Sequence, residues 1–491
     1  MVLRERIPGW LWGLVLIAIA RLLMMAVFPL VDTSEPRYAE TARIMAETGD
    51  WITPWFEPGV PFWGKPPLAF WMSALSFRFL GYSEFAARFP AWLATLATLS
   101  LMYGFARSQF NIGVARLSVL IYASSLLPFL AAGAVLTDPY LTLEVTLSLV
   151  AFGKLSEAAR PVWQYAFFVG LALGMLSKGP LAIILVLGVV LPWTLWHDRS
   201  REHVRRIAWM RGALLVLVLT APWYVLAEIK TPGFLEYFIV GEHFYRFIDP
   251  GWQGDLYGSA HKRIYGSIWL DWLLATFPWG VVALWQLVRW RKAGGRMSET
   301  FRGSSSPRIT FLLLWAVATP LLFTFSGNIL WTYVQPSLPA FAVLLAAGLL
   351  HRRASDDEWP RWRLLAIFTP VAGVLLGCVA AAYPALVKTE KQLIEYYAAH
   401  AQPDQPLYYV DRRPFSARYY SHGQAKLYSD GSVAELLDWY PSGVYLAVSA
   451  SQLSHLEGLV LSPVLFENRR YSLLFAKQKP GEQSPFFMSV R

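Results

Sequence analysis

Cysteine is almost missing from this chain. Among 491 residues there is one, Cys378, set inside an apolar run, so no intrachain disulfide can form and the redox compartment is not readable from thiols. Charge is scarce too: 15% of residues are charged against 55% hydrophobic, and the mean hydropathy is +0.39. That balance excludes an ordinary soluble protein of two or three domains and points to an integral membrane protein. No phosphate-cradling glycine-rich loop, dinucleotide fingerprint or Gly-x-Ser-x-Gly elbow occurs, which argues against a soluble nucleotide as substrate or cofactor. No Cys/His cluster has zinc spacing, and a catalytic metal is not expected. Internal repeats, low-complexity tracts and long linkers are absent as well.

What is abundant is apolar sequence in long runs, with 23 Trp suited to interfacial belts. Allowing roughly 20 apolar residues per crossing, the sequence predicts eleven transmembrane helices, near 9–30, 84–106, 112–131, 137–154, 163–178, 180–196, 209–228, 267–288, 309–325, 332–350 and 363–386. The first run is too long for a signal peptide and lacks a small-residue cleavage site, so it reads as a mature helix. The net charge of +10 would suggest nucleic acid in a soluble chain. Here the basic residues collect in short loops, and no nucleic-acid partner is expected. With Arg4 and Arg6 in the cytoplasm, three clusters fall inside: Arg199, Arg201, Arg205 and Arg206; Arg289, Arg291, Lys292 and Arg296; Arg352, Arg353, Arg361 and Arg363. Segments 32–83, 132–138 and 229–266 then lie outside with the C terminus, and 303–307 reads as a cytoplasmic loop. Two domains are expected: a membrane domain over 1–387 and a soluble α/β domain over 388–491. In the latter, 407–410, 416–420, 444–448 and 471–476 look like strands, while 433–439 and 451–456 look helical.

The polar stretch 32–71 gathers Asp32, Glu35, Arg37, Tyr38 and Lys65 between apolar runs, so these groups need water or a cavity between helices. Thr33 or Ser34 can cap a helix with Pro36 in its first turn, ending at Thr48-Gly49-Asp50 and lying along the interface. Phe70–Phe79 has the look of a second interfacial helix. Asp138 opens an apolar helix before Pro139; it suits an N-cap and equally a general base on an acceptor group. Lys65 is either a snorkelling lysine or an anion ligand. Lys178 lies on the outer side, against the charge trend. Glu242 and Arg246 stand four apart beside His243, which by itself would make a surface ion pair of small value. Lys65, Arg246 and Lys178 together can hold a phosphate, with Lys262 and Arg263 in reserve.

The ordered set Glu35-Pro-Arg-Tyr-Ala-Glu40, Gly49-Asp-Trp-Ile-Thr-Pro54, Gly64-Lys-Pro-Pro67, Thr137-Asp138, Lys178-Gly-Pro180, Glu242-His-Phe-Tyr-Arg246 and Trp331-Thr-Tyr-Val-Gln-Pro-Ser-Leu-Pro339 resembles the GT-C membrane glycosyltransferases related to the lipid A aminoarabinose transferase and the protein O-mannosyltransferases. The resemblance covers most of the membrane part and the tail only loosely. It implies a GT-C fold and a polyprenyl-phosphate-linked sugar donor. It further implies a glycolipid, glycan or protein acceptor outside the bacterial cytoplasmic membrane, with membrane lipids as the other partners. By the same resemblance Asp138 is a functional carboxylate, Lys65 and Arg246 are ligands of the lipid phosphate, and Arg37 with Tyr38 belong to the first-loop motif. Glu242 and His243 are expected to position substrate. The family pattern Asp-Glu-x-Arg-Tyr has Ser34 at its first carboxylate here, leaving Asp32 or Glu35 to substitute, and Gly64 stands where the family has an acidic residue. The expected chemistry is an inverting direct displacement without nucleotide, redox cofactor or metal. A transporter or flippase for lipid-linked sugars, or a membrane-anchored binding protein, are the competing classes.

Overall fold

In the computed structural model the described residues are 9–155, 161–197, 204–205, 207–249, 251–258, 261–292, 294, 306–350, 360–428, 433–449, 451–452 and 461–477. The expected topogenic residues Arg4, Arg6, Arg199, Arg201, Arg206, Arg296, Arg352 and Arg353, most of the 303–307 loop, and residues 453–456 of the helix expected over 451–456 lie outside them. The chain forms two compact units, one of Met1–Ala26 with Thr41–Leu376 and one of Val27–Glu40 with Gly377–Arg491. The second unit thus takes in the start of the first polar stretch as well as the tail.

The first unit is helical: α1 (Gly9–Val27), the later part of α2 (Ser34–Thr48), α3 (Leu68–Leu80), α4 (Glu84–Gln109), α5 (Ile112–Ser124), α6 (Leu126–Ala131), α7 (Asp138–Leu155), α8 (Pro161–Lys178), α9 (Leu181–Trp196), α10 (Trp209–Lys230), α11 (Ile268–Ala275), α12 (Trp279–Lys292), α13 (Ser306–Phe323), α14 (Leu338–Leu350) and α15 (Pro360–Ala382). Each of the eleven predicted spans coincides with helix. By length and apolar composition five helices among the described residues can cross a membrane, or six counting a bent pair, with four shorter apolar helices beside them. The protein is a multi-pass membrane protein. Two of the predicted spans are interrupted for a physical reason. The run over 112–131 breaks at Ser125, and the run over 267–288 bends by 104° between α11 and α12 at Pro278, which has no N–H to continue a helix. The two breaks satisfy each other's polar groups: Leu126 N–H donates to Phe277 O at 2.9 Å, and Trp279 Nε1 donates to Ser124 Oγ at 2.9 Å. That pairing is what non-helical backbone needs inside an apolar bundle.

Between α2 and α3 a small hairpin, β1 (Trp55–Glu57) with β2 (Val60–Pro61), leads into the Lys65 loop. Between α10 and α11 the chain winds into a π-helix, Glu236–Tyr245.

In the second unit a five-stranded sheet has the order β4 (Lys426–Tyr428), β3 (Leu407–Val410), β5 (Val444–Val448), β7 (Ser472–Ala476), β6 (Phe466–Glu467); the first three run parallel and the last two antiparallel. Alternation along β3 serves both faces. Leu407 and Tyr409 pack with α16 (Lys391–His400) and α17 (Phe415–Tyr420), whereas Tyr408 packs with Leu436 and Leu437 of α18 (Val433–Trp439). The stretch 416–420, predicted as strand from its aromatic residues, is the helix α17. Pro414, extended at φ −61° and ψ 153°, starts it, and Ser416, Ala417, Arg418 and Tyr419 are all buried.

Candidate active site

Local structure brings five of the predicted residues to one place. α7 and α8 approach closely at Gly170, and Gly174, one turn on, lets α9 approach α8. A Cβ at 170 would collide with Ser148 Oγ and stand 2.8 Å from Glu144 O, and one at 174 would collide with Ala182 Cβ. Close packing carries the end of α8 to the start of α7, where Lys178 Nζ donates to Asp138 Oδ1 at 2.6 Å with both side chains 7% exposed. Deeper along the same pair of helices, Ser177 Oγ donates to the buried Glu144 carboxylate. Asp138 therefore holds an ion pair and does not merely cap its helix.

Gly179 then reverses the chain at φ +69°, where a Cβ would meet the Phe238 ring at 2.7 Å. The space it leaves admits the π-helix. His243 lies with Nδ1 2.8 Å from Phe238 O and Nε2 3.0 Å from Lys178 O, so its ring bridges the π-helix to the end of α8. Burial pushes its basicity down, the two carbonyls acting in the opposite sense.

One residue earlier, Glu242 is 5% exposed and accepts from Lys65 Nζ at 3.0 Å and from Arg246 Nη1 at 2.9 and 3.1 Å. Glu242 and Arg246 thus form no surface ion pair of small value but a buried triad with Lys65. Burial opposes ionisation of Glu242, but Lys65 and Arg246 outweigh it and hold the carboxyl down to about 2. Burial likewise works against the Arg246 cation, yet Tyr333, Glu242 and Asp255 hold it above its ordinary value. Lys65 is not a snorkelling side chain. Its loop is fixed by Trp63, whose N–H donates to the Tyr257 hydroxyl at 3.0 Å and whose Nε1 donates to Thr231 Oγ1 at 3.1 Å.

These groups line a cleft of about 560 Å³ together with Leu181, Phe238, Phe247, Phe323, Ser326, Asn328 and Tyr333. Lys65, Lys178 and Arg246 supply cations, the Phe and Leu side chains an apolar wall. Asp138 is not a wall residue; it meets the cleft through Lys178. Sequence reasoning missed Tyr333, whose ring centroid is 4.5 Å from Lys178 Nζ, although the Trp331–Pro339 stretch was the available signal. It also missed Asp255, 3.6 Å from Arg246. The reserve cation Arg263 is taken up by Asp271 at 2.5 and 3.0 Å, and Lys262 pairs through its backbone with Asn328. Among the described residues no group of three or more His, Cys, Asp or Glu side chains gathers as metal ligands.

The first-loop candidates belong to the second unit. Asp32 requires a correction. Its side chain is 2% exposed, and its oxygens accept from Ser416 N–H at 2.8 Å, from Ser416 Oγ and from Arg470 Nη2 at 2.7 Å. A general base must reach its substrate, and this carboxylate instead ties the segment to Arg470. Glu35 accepts from Val31 N–H at 3.4 Å. The Arg37 guanidinium lies over the rings of Tyr38 and Phe415, at 5.2 and 5.4 Å.

The sequence model of the family described as dolichyl-phosphate-mannose-protein mannosyltransferase matches residues 13–238. An undecaprenyl phosphate-alpha-4-amino-4-deoxy-L-arabinose arabinosyl transferase 1 of Pseudomonas fluorescens is 30% identical over 79% of this chain and 69% of its own length. The corresponding transferase of Edwardsiella ictaluri is 30% identical over 72% of this chain, which spans 61% of that relative's length. Among solved structures, ArnT from Cupriavidus metallidurans bound to undecaprenyl phosphate aligns with a TM-score of 0.75 at 18% identity, covering 95% of this chain and 98% of its own. The archaeal oligosaccharyltransferase AglB from Archaeoglobus fulgidus aligns at 0.52 and 11% identity, covering 90% and 70%. The fold is that of the GT-C enzymes, and the chain belongs to the family of the undecaprenyl phosphate-aminoarabinose arabinosyl transferases.

Proposed function

We propose that this protein transfers a sugar from a polyprenyl-phosphate carrier to an acceptor outside the cytoplasmic membrane of a bacterium, by direct displacement with inversion. The observation that carries the reading is the convergence of Lys65, Lys178 and Arg246, from three separated segments, on one cleft with an apolar wall. Such a cleft suits a lipid phosphate: cations for the head, Phe and Leu for the first carbons of the chain. In the reaction the acceptor oxygen bonds to the anomeric carbon as the bond from that carbon to the phosphate oxygen breaks. The electron pair leaves with the phosphate, where Lys65 and Arg246 stabilise the growing charge. The acceptor's proton passes to a carboxylate: Glu242, on the cleft wall, is held ionised by Lys65 and Arg246 and is a weak base, whereas Asp138, joined to the cleft through Lys178, is released to accept the proton as Lys178 turns to the phosphate.

Between pentosyl and hexosyl donors, the names of the relatives favour an aminopentose, and a glycolipid of the lipid A type is the acceptor we assign. The basic residues between the apolar runs support a cytoplasmic N terminus and an outward-facing site. The experiment is reconstitution of the full-length protein with undecaprenyl phosphate-linked 4-amino-4-deoxy-L-arabinose and lipid A, with product read by mass spectrometry. Transfer is expected in the wild type and absent in Lys65→Ala and Arg246→Ala. Undiminished transfer in both variants removes the assignment of the phosphate site.

A further inference from the structure

Glu242 occupies part of the hydrogen-bonding capacity that Lys65 and Arg246 would offer a phosphate, while the buried Arg246 Nε is without a partner. Its Oε2 accepts from Lys65 at 3.0 Å, and both of its oxygens accept from Arg246 Nη1, at 2.9 and 3.1 Å. A carboxylate and a phosphate ask a lysine and an arginine for the same N–H groups, so resident and incoming anions compete. Protonation does not withdraw the competitor: burial opposes its charge, the two cations outweigh burial, and the carboxyl is held down to about 2. Glu242 is also tethered, four residues before Arg246 in one continuous helical segment. It is displaced only sideways and remains beside whatever binds.

Charge gives this competition a direction. Two cations less one carboxylate leave a single net positive charge at the bonding groups. A sugar held through a phosphodiester bears one negative charge and neutralises it. The polyprenyl phosphate left after transfer is a monoester, and above a second pKa of about 6 it bears nearly two. Product, unlike donor, therefore leaves the site with surplus negative charge beside a carboxylate. Of the other polar neighbours, Asp255, 3.6 Å from Arg246, biases the site the same way; Lys178 is balanced by Asp138 again once the proton taken up in the transfer has left to water and their ion pair has re-formed; the Tyr237 hydroxyl, 3.5 Å from Glu242, and His243 complete the set.

We propose that Glu242 sets the phosphate site for a singly charged diester and drives out the doubly charged monoester, making it a product-release and selectivity residue. This rests on the reading that Lys65 and Arg246 hold the lipid phosphate. The test titrates undecaprenyl phosphate into the detergent-solubilised full-length protein at pH about 7.5 and about 5.5, on either side of the monoester's second ionisation. Glu242→Gln keeps the shape and removes the charge, so it binds undecaprenyl phosphate tighter, on the order of tenfold or more at the higher pH. The gain shrinks at the lower pH, where the monoester is singly charged. In turnover kcat and the donor KM fall together, and Glu242→Asp returns both toward wild type. Equal or weaker affinity of Glu242→Gln at both pH values, while Lys65→Ala loses binding, overturns the release role and leaves the phosphate site standing. Wild-type affinity in both Lys65→Ala and Arg246→Ala removes the phosphate site itself. If Glu242→Gln does not fold, Asp255→Asn reads the same sign with a smaller factor, and unchanged affinity there counts against the release role.

Discussion

Lys178 Nζ stands 2.6 Å from Asp138 Oδ1, the two side chains equally buried at the mouths of adjoining helices. Neither charge has water to fall back on, so removing one partner strands the other. A half-broken buried pair costs about 3–5 kcal/mol, whereas replacing both by groups of similar volume is often close to neutral. Asp138→Asn is therefore expected to abolish transfer and to lower the melting temperature of the purified protein. The double variant Asp138→Asn with Lys178→Met is expected to regain most of that stability and none of the transfer. Thermal melts beside a transfer assay separate the two effects; a double variant that regains transfer would remove both residues from the chemistry.

Glu390 gives the second unit a pH dependence of definite sign. It is buried among Arg470, Asn468 and Tyr409. Burial raises its carboxyl above the ordinary value of 4.5, with Arg470 and its hydrogen bonds pulling the other way. A raised carboxyl means the folded state holds its proton more tightly than the unfolded chain. The charge then costs stability as pH rises from the unfolded value through the folded one. Glu390→Gln keeps the hydrogen-bonding shape and removes that dependence. Hydrogen exchange of β3 and β7 in the full chain is expected to show protection falling with pH in the wild type across that window and staying flatter in the variant.

How much of this was legible beforehand depends on how far apart the partners are in sequence. The helices showed through their apolar runs, Lys65, Glu242, His243 and Arg246 showed in the polar segments expected outside the membrane, and Lys178 showed as a cation on the outer side against the charge trend. Asp32 could not be read correctly, because the arginine that takes its charge, Arg470, is 438 positions away and nothing local distinguishes a tied carboxylate from a catalytic one. The break at Ser125 was hidden for a similar reason. An apolar run reads as one helix unless a second break is known to lie against it, and that partner is Phe277. In 416–420 the short run reads as a strand, whereas four successive residues, Ser416 to Tyr419, are buried with Ala417 in the core beside Leu407 and Tyr409, as the helix allows.

Gly170 and Gly174 test whether helix packing, more than the charged residues alone, sets the site. A methyl at 170 would collide with Ser148 Oγ and lie 2.8 Å from Glu144 O, the latter a backbone atom that cannot rotate away. Gly170→Ala is expected to force α7 and α8 apart at a cost of about 1–3 kcal/mol. The strain would reach both Asp138–Lys178 and Glu144–Ser177, so transfer falls although no charged group has changed. Gly188, where an added methyl would find nothing within 4 Å, is the control: Gly188→Ala leaves transfer and melting temperature as they are.

Gly179 carries two demands at once, and they can be separated. Its φ of +69° costs an L-residue roughly 1–2 kcal/mol, and a methyl there also meets Phe238 at 2.7 Å and His243 at 3.2 Å. Gly179→Ala is thus expected to push the π-helix away from the end of α8, lengthening the His243 contact to Lys178 O and moving Glu242 and Arg246 with it. Shortening the obstruction with Phe238→Leu relieves the second demand and not the first. If the collision dominates, the double variant recovers undecaprenyl phosphate affinity lost in Gly179→Ala; if backbone strain dominates, it does not. Titration of undecaprenyl phosphate into each purified variant decides between them, with Phe238→Leu alone as the reference, because Phe238 itself lines the cleft while Lys65 and its loop lie outside both substitutions.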